Sequence, residues 1–380
     1  MMRVTTNNTL YTYKNNLLKS SNQLYTAMNQ MMSKRNFDTY AADPAAATRA
    51  FKIHSSLNAT NAQASNNNMV YNKFSSAWDI ADDFLDKLAQ DLAETPLIKG
   101  LNDPNATVRN TFGDVILSGA ESMVQSLNSK YGTDYIFGGA DTQNPPFAIE
   151  TVEDPVNGDK HYLTYRGIRL DDPDPTYYDK VYLDENNQPV PVDPADPNGD
   201  KMTNQDMLDK WNAEHLYVDI GKGFEVDKGG NVIDSTAFDA AIRGTDFIGG
   251  TGFDADGDPK NIISIMLRTA EIFKGYNEET KTWGPAGDYE DAQRLVNKFR
   301  DAQDAVSKQH TALDTKAKYL ETNKTQLEST FDALNNERQS IENIDEVEAI
   351  LTLSWAQTSY NAAIQVGANV IPQSLMDYLN

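Results

Sequence analysis

The sequence predicts a mainly α protein with an inserted β domain, an α+β class in which long antiparallel helices from the N- and C-terminal segments form a coiled-coil stalk carrying a β-rich outer domain. Three observations predict this fold. Residues 288–366 contain no Gly or Pro, residues 1–95 contain one Pro and no Gly, and the middle of the chain is rich in both. Both ends are therefore free to form long helices, whereas the middle has the turn residues of a β-rich segment.

The N-terminal segment contains two apolar repeats with a period of seven, separated by Pro44. The first repeat is Leu10, Leu17, Leu24 and Met31, and the second is Leu57, Ala64, Tyr71, Trp78, Leu85 and Leu92. Such a repeat is typical of a helix that packs one face against another helix. A third helix is expected from Pro104 to about Tyr131, although Gly113 and Gly119 weaken this prediction.

The middle of the chain is acidic and divided by turns. Residues 140–260 hold 26 Asp or Glu and 10 Lys or Arg, a net charge of −16 out of −23 for the whole chain. Short alternating runs at 162–165, 216–220 and 224–226 predict strands and hairpins. We therefore expect an outer domain with an acidic coat, which would repel nucleic acid and anionic lipid.

The C-terminal segment has the longest repeat, again with a period of seven. It consists of Phe299, Val306, Leu313, Leu320, Leu327, Leu334 and Ile341. If unbroken over 288–366, this helix would be on the order of 120 Å long, which suits a mechanical or architectural role. The companion seam positions are mostly polar: Ala302, Gln309, Lys316, Asn323, Thr330 and Glu337. They either face solvent in an ordinary bundle or await neighbouring subunits, and the sequence leaves both readings open.

These patterns predict five parts of the chain. They are an N-terminal assembly helix (1–40), the N-terminal part of the stalk (41–139), the acidic β-rich outer domain (140–265), the C-terminal part of the stalk (266–345) and a C-terminal assembly helix (346–380). The predicted stalk core consists of Trp78, Leu85, Phe299, Leu313, Leu320, Leu327, Leu334 and Ile341.

Residues that could carry chemistry are few. The absence of Cys excludes disulfides and thiolate sites, and the four His residues (54, 161, 215 and 310) lack the spacing of metal ligands. Asp254, Asp256 and Asp258 could chelate a hard cation, but the closing Glu of an EF-hand is missing and a solvated turn is favoured. We predict no catalytic residue, cofactor or metal, although an enzyme within 148–265 is not excluded by fold. The sequence shows neither the apolar core of a signal peptide nor a membrane-spanning run.

Three blocks of sequence resemble bacterial flagellins and their relatives. Residues 3–8, the helix ending in Ser33-Lys34-Arg35, and the run that begins at Asp43-Pro44 resemble the N-terminal region of the family. Residues 127–139, with Pro146-Phe147 beyond them, are similar to the signature with which the hook-associated members leave their helical region. Residues 360–368 and 373–379 resemble the end of those members more than that of filament flagellins. The Gly of the family's Ser-Gly-Lys-Arg turn is missing, and Ala42 replaces an Asp.

The resemblance implies a structural adaptor joining the flagellar hook to the filament, and not an enzyme. Such proteins are held by a cytoplasmic chaperone, exported unfolded by the flagellar type III export machinery without a cleaved signal peptide, and polymerised outside the cell. The implied partners are identical subunits in a ring, the adjoining hook-associated junction protein and flagellin. A filament-forming flagellin and a non-flagellar secreted coiled-coil scaffold or effector are the alternatives. The expected assembly interface comprises Leu10, Leu17, Leu24, Ile364, Val366, Ile371, Leu375, Met376 and Leu379.

Overall fold

The computed structural model describes residues 6–37, 39–103, 106–154, 158–171, 181–183, 189–191, 204–233, 236–277 and 279–370. The chain is mainly helical with small antiparallel sheets, which confirms the predicted combination of α and β structure. Its contacts divide it into two compact units. Unit 1 comprises Met1–Gln63 and Gln326–Asn380, and unit 2 comprises Ala64–Thr325. The five-part division stays a prediction.

The helices of the described residues are α1 (Thr6–Ser33), α2 (Pro44–Asp83), α3 (Thr95–Asn102), α4 (Ala106–Leu127), α5 (Asn204–Asn212), α6 (Gly244–Phe247), α7 (Ile262–Lys274), α8 (Tyr289–Glu342) and α9 (Glu346–Val370). A π-helical segment, Phe84–Glu94, joins α2 to α3. Pro44 begins α2 because the Asp43 carboxylate accepts the N–H groups of Ala45 and Ala46 at 3.1 and 2.9 Å. Within these ranges, no helix is long and apolar enough to cross a membrane.

The long C-terminal run forms two helices, α8 and α9, and is not one unbroken helix. The run breaks between α8 and α9, where Asp345 Oδ1 accepts the N–H of Val347 at 2.8 Å and caps α9. Backbone groups of the turn after α1 form hydrogen bonds with the backbone at this break. Asn36 donates to the carbonyl of Glu342 at 2.8 Å, and Ile344 donates to that of Lys34 at 3.2 Å. A local cap and a distant turn thus replace the helical hydrogen bonds.

The strands are short and pair antiparallel. They are β1 (Lys130–Tyr131), β2 (Asp134–Tyr135), β3 (Gly138–Gly139), β4 (Phe147–Val152), β5 (Lys160–Tyr165), β6 (Ile168–Arg169), β7 (Val181–Leu183), β8 (Pro189–Pro191), β9 (Tyr217–Val218), β10 (Phe238–Asp239) and β11 (Ile242–Arg243). The largest sheet has the order β4-β5-β6, and the pairs are β1-β2, β3-β11, β7-β8 and β9-β10. The acidic segment also contains helices α5 and α6, which the sequence analysis did not predict.

Helices α2 and α8 pack antiparallel within unit 2. Asn67 of α2 donates to the carbonyl of Leu320 at 2.9 Å, and further along α2 the ring of Trp78 stacks on His310 at 4.9 Å. The residue number of the α8 partner decreases as the residue number along α2 increases, so the two helices are antiparallel. The core of unit 2 contains side chains of both helices together with those of α4 and α7.

One polar seam position is satisfied inside the chain. Asn323 is 3% exposed, and its amide donates to Asn67 Oδ1 at 3.0 Å and to the carbonyl of Ile220 at 2.7 Å. Neither open reading fits this residue, because it meets no solvent and needs no neighbouring subunit. Buried polar pairs of this kind fix the register of a helix pair.

Candidate assembly interface

Helices α1 and α9 of unit 1 pack antiparallel. At one end Lys34, directly after α1, forms an ion pair of 2.7 Å with Glu346 at the start of α9. At the other end Tyr13 lies against Gly367, where an added Cβ would overlap the tyrosine hydroxyl. Gly367 therefore allows a close approach of the two helices that no larger residue would permit.

The seam between these helices follows a heptad pattern of alternating four- and three-residue steps. The shielded positions that follow this spacing are Tyr13, Leu17, Ser20, Leu24, Ala27 and Met31 on α1, and Ala349, Leu353, Ala356, Tyr360, Ala363 and Gly367 on α9. On α1, Asn15, Ser21 and Gln30 are half-buried as well. Several of the seam side chains are small, and the buried hydroxyl of Ser20 has no hydrogen-bond partner. Small residues thus take six of the twelve seam positions, and Tyr, Leu or Met takes the other six.

A second heptad stripe runs along the outer side of α1. It consists of Tyr11, Leu18, Tyr25 and Met32, which are 66, 52, 64 and 78% exposed, respectively. The stripe lies one residue beyond the predicted repeat of Leu10, Leu17 and Leu24. The sequence does contain this second repeat, which has the same period of seven and is shifted by one position. The sequence analysis recognised only the first repeat. A continuous row of large exposed apolar side chains marks a contact surface.

Helix α9 also exposes large apolar side chains. Near its N-terminus these are Val347, Ile350, Leu351 and Trp355, and near its C-terminus they are Ile364 and Val366. Trp355 is 70% exposed. Because Trp usually buries its ring in folded proteins and at interfaces, this position adds to the evidence for a contact surface on unit 1.

The predicted interface residues have different environments. Leu17 and Leu24 are half-buried, whereas Ile364 and Val366 are exposed. Leu10 lies in α1, but its side chain is outside the described part of the structure. Ile371, Leu375, Met376 and Leu379 also fall outside the described residues. The assignment of all nine to an interface stays a prediction.

The predicted stalk-core residues differ in how deeply they are buried. Phe299, Leu313 and Leu320 are buried in unit 2, and Leu327 is buried in unit 1. Leu334 and Ile341, nearer the end of α8, are half-buried, as are Trp78 and Leu85 on the N-terminal side. The repeat therefore marks a shielded face, and its assignment to a coiled-coil stalk stays a prediction.

The Asp254–Asp258 turn holds a side-chain cation. The Lys298 ammonium lies 2.9 Å from Asp256 Oδ2 and 2.8 Å from Asp258 Oδ2, and it also contacts Asp254. Burial disfavours the charged form of Lys298, but the hydrogen bonds that it donates to the three carboxylates raise its pKa above the ordinary value. Burial would likewise raise the pKa of Asp258, yet hydrogen bonds from Arg294 and Lys298 lower it. An ammonium thus occupies the position that the sequence analysis considered for a metal.

The four histidines lie in separate places, and three of them lie within 3.5 Å of a carboxylate. His54 lies 2.6 Å from Glu342, His161 lies 3.5 Å from Glu271, and His215 lies 2.9 Å from Asp239. His310 stacks on Trp78. Over the part of the chain that the structure describes, no group of three or more His, Cys, Asp or Glu side chains is placed to hold a metal ion.

The sequence matches no protein-family model and no curated protein. Among solved structures it is similar to one described as a flagellar hook-associated protein from Vibrio parahaemolyticus, with a TM-score of 0.50 and 11% identity over 80% of this chain and all of that one. FlgL from Bacillus cereus is 15% identical, with a TM-score of 0.40 over 76% of this chain and 99% of that one. FlgL from Xanthomonas campestris is 16% identical, with a TM-score of 0.32 over 74% and 99%. Of these, the Vibrio similarity bears on the present chain, and it concerns the fold alone.

Proposed function

We propose that this protein is a structural subunit of the bacterial flagellum, the hook-associated protein 3 that joins hook to filament, and that it is not an enzyme. The observation that carries the proposal is the exposed stripe of Tyr11, Leu18, Tyr25 and Met32 on α1. The flagellin-like sequence blocks and the fold shared with the Vibrio hook-associated protein support the same role.

The energetics of the stripe favour assembly. Full burial of one large apolar side chain contributes about 1.5–3 kcal/mol, so covering the remaining exposed half of four such residues would contribute several kcal/mol per subunit. Small residues at half of the seam positions limit the apolar area that α1 and α9 bury against each other. Helices of neighbouring subunits that covered the stripe would stabilise both the contact and the helix pair, and binding would then be coupled to ordering.

The proposal includes a set of partners. Identical subunits form a ring through the terminal helices, with the adjoining hook-associated junction protein on one side and flagellin on the other. A cytoplasmic chaperone holds the chain before the flagellar type III machinery exports it. The proposal assigns the apolar residues Ile371, Leu375, Met376 and Leu379 to the same inner contact, because residues 373–379 resemble the corresponding segment of the hook-associated proteins. The long helices supply a coiled-coil stalk for the outer domain.

Localisation tests the role directly. Epitope-tagged protein should label isolated flagella at one position, between hook and filament. Labelling along the whole filament would instead identify a flagellin, and flagella without label would identify a non-flagellar scaffold or effector.

Matched variants of α1 test the stripe. Leu18→Ser and Tyr25→Ser should leave the secreted monomer folded by circular dichroism but release filaments from cells. Gln23→Ser, an exposed polar position of the same helix, is the control and should leave filaments attached. Normal filament retention in the Leu18→Ser, Tyr25→Ser double variant would contradict the role given to the stripe.

A further inference from the structure

A cavity of about 480 Å³ lies in unit 2, where it is lined by α7, the start of β5 and a loop that includes Gly275 and Pro285. Its volume falls within the range of about 300–1,000 Å³ that small-molecule sites occupy. Only three residues of α7 are not buried, and all three line this cavity: Arg268, Glu271 and Lys274. Their spacing of three residues places them on one face of the helix, so α7 gives the cavity a charged wall.

Arg268 is the group in this wall that its own chain leaves without a partner. It is half-buried, and within the described part of the chain its guanidinium makes no hydrogen bond or ion pair. The other shielded arginines of unit 2 all donate to carboxylates or carbonyls: Arg109, Arg166, Arg169, Arg243 and Arg294. Partial removal of a guanidinium from water is costly without such a partner. An anion that entered the cavity would supply one.

Hydrogen-bond acceptors line the same cavity. Glu271 accepts the backbone N–H of His161 at 2.6 Å, and its carboxylate lies 3.5 Å from the imidazole Nδ1. Asp171 accepts the hydroxyl of Ser264 at 2.6 Å. These bonds fix the direction of both carboxylates. Because a carboxylate has about four lone-pair positions, Glu271 retains capacity to accept a hydrogen bond from a ligand.

The loop wall of the cavity, which includes Gly275 and Pro285, is fixed by cation–π contacts. The guanidinium of Arg109, on α4, lies 4.4 Å from the ring centre of Tyr276 and 4.7 Å from that of Trp283. These contacts connect both strands of the loop to α4. The wall is therefore formed before any ligand binds, which lowers the cost of binding.

The arrangement suits a small molecule that carries one carboxylate and several hydroxyl groups. The planar guanidinium of Arg268 matches a carboxylate, which can accept two parallel hydrogen bonds from it. Three carboxylates of the chain line the cavity, those of Asp159, Asp171 and Glu271, and they would repel a dianionic phosphate group. The same carboxylates can accept hydrogen bonds from hydroxyl groups. A sugar acid combines the two required features.

We propose that this cavity binds a sugar acid, with Arg268 donating to its carboxylate and Glu271 accepting from its hydroxyl groups. The inference goes beyond the proposed function and does not depend on it. Every residue of the cavity belongs to unit 2, whereas the exposed stripe on α1 belongs to unit 1. Failure of the flagellar role in the localisation experiment would leave this site standing, and failure of the site would leave that role standing.

Titration of the full-length protein with sodium glucuronate, followed by calorimetry at low ionic strength, tests the site. Glucose lacks the carboxylate, acetate lacks the hydroxyl groups, and inorganic phosphate carries a larger charge. Each of the three should bind at least about tenfold more weakly than glucuronate. Acetate or phosphate binding as tightly as glucuronate would overturn the ligand class, and a protein that did not bind glucuronate would overturn the site.

Variants of Arg268 test the residue that carries the argument. Arg268→Gln should weaken glucuronate binding about tenfold, because it removes a charge-assisted pair of hydrogen bonds. Arg300→Gln removes the same charge from an exposed position of unit 2 that does not line the cavity, and it should leave binding unchanged. Equal affinities of the two variants would contradict the proposal.

The melting temperature separates binding from a structural role. Since Arg268 has no partner in the described chain, Arg268→Gln should not lower the melting temperature of the protein without ligand. Glucuronate should raise the melting temperature of the unmodified protein and of Arg300→Gln, but not that of Arg268→Gln. A lowered melting temperature of Arg268→Gln without ligand would show that the guanidinium serves the fold, and it would overturn the inference.

Discussion

The buried pair of Asn67 and Asn323 in unit 2 provides the sharpest test of how α2 and α8 are aligned. Asn323→Ala removes two hydrogen bonds, to Asn67 Oδ1 at 3.0 Å and to the carbonyl of Ile220 at 2.7 Å. Both former acceptors belong to residues that are at most 1% exposed. Water therefore cannot replace the lost donor without opening the helix pair.

The magnitude follows from these contacts. Each buried acceptor left without a partner costs about 1–3 kcal/mol, which gives about 2–6 kcal/mol for the two. Alanine recovers roughly 0.5 kcal/mol because its helix propensity is higher than that of asparagine. We therefore expect Asn323→Ala to lower the free energy of unfolding of unit 2 by about 2–5 kcal/mol.

The tryptophan distribution provides a selective assay. Trp78, Trp211 and Trp283 belong to unit 2, whereas Trp355 belongs to unit 1. In a Trp355→Phe background, tryptophan fluorescence during urea unfolding therefore reports on unit 2. The transition midpoint gives the change in stability, provided that the slope with urea concentration is unchanged.

Asn72→Ala is the matched control, because Asn72 is an exposed residue of the same helix as Asn67. It should change the stability by less than about 0.5 kcal/mol. A double-mutant cycle of Asn67→Ala and Asn323→Ala should show a coupling energy of about 1–3 kcal/mol. The reasoning is refuted if Asn323→Ala is no more destabilising than Asn72→Ala.

Two further changes test other contacts. Gly367→Leu should destabilise the α1–α9 pair by about 1–3 kcal/mol, because the leucine side chain must displace Tyr13. The amides of α1 should then exchange hydrogen faster, and adding Tyr13→Ala should partly reverse this change. Lys298→Met should destabilise unit 2 by about 2–3 kcal/mol at pH 7, since it leaves the carboxylates of the Asp254–Asp258 turn short of a partner. Because the pKa of Asp258 is lowered in the folded state, its contribution to stability is present above its ordinary pKa of about 4 and is lost at lower pH. The destabilisation caused by Lys298→Met should therefore shrink as the pH falls below about 4, and urea unfolding at a series of pH values would measure this.

The break between α8 and α9 shows what periodicity alone misses. The apolar repeat continues to Ile341 and the run contains no Gly or Pro, so neither feature accounts for the boundary predicted between residues 345 and 346. A capping signal was nevertheless present, because Asp345 is followed three residues later by Glu348. The backbone bonds from the turn at Lys34 and Asn36 are distant in sequence and could not be predicted from it.

The polar seam position Asn323 was recognised from the sequence, but neither of the two readings offered for it fits the structure. Asn323 occupied a position expected to be apolar, which is visible from the period of seven. Its partners, Asn67 and the carbonyl of Ile220, come from segments more than a hundred residues away. Whether such a residue faces solvent, a neighbour or its own core depends on tertiary contacts, and these are set by the folded chain rather than by local pattern.

Helix α1 carries large apolar side chains on its outer side as well as in its seam with α9. A helix that completes its packing within one chain places its largest apolar side chains inward and its small or polar ones outward. In α1 the small residues Ser20 and Ala27 take two of the six seam positions, while on the outer side Tyr11, Tyr25 and Met32 remain more than 60% exposed. Selection for stability of the isolated chain would not maintain this arrangement, because each exposed side chain forgoes the free energy of burial. The arrangement becomes favourable when a surface outside the chain covers the stripe, so the distribution of side-chain size across α1 is itself an argument for assembly.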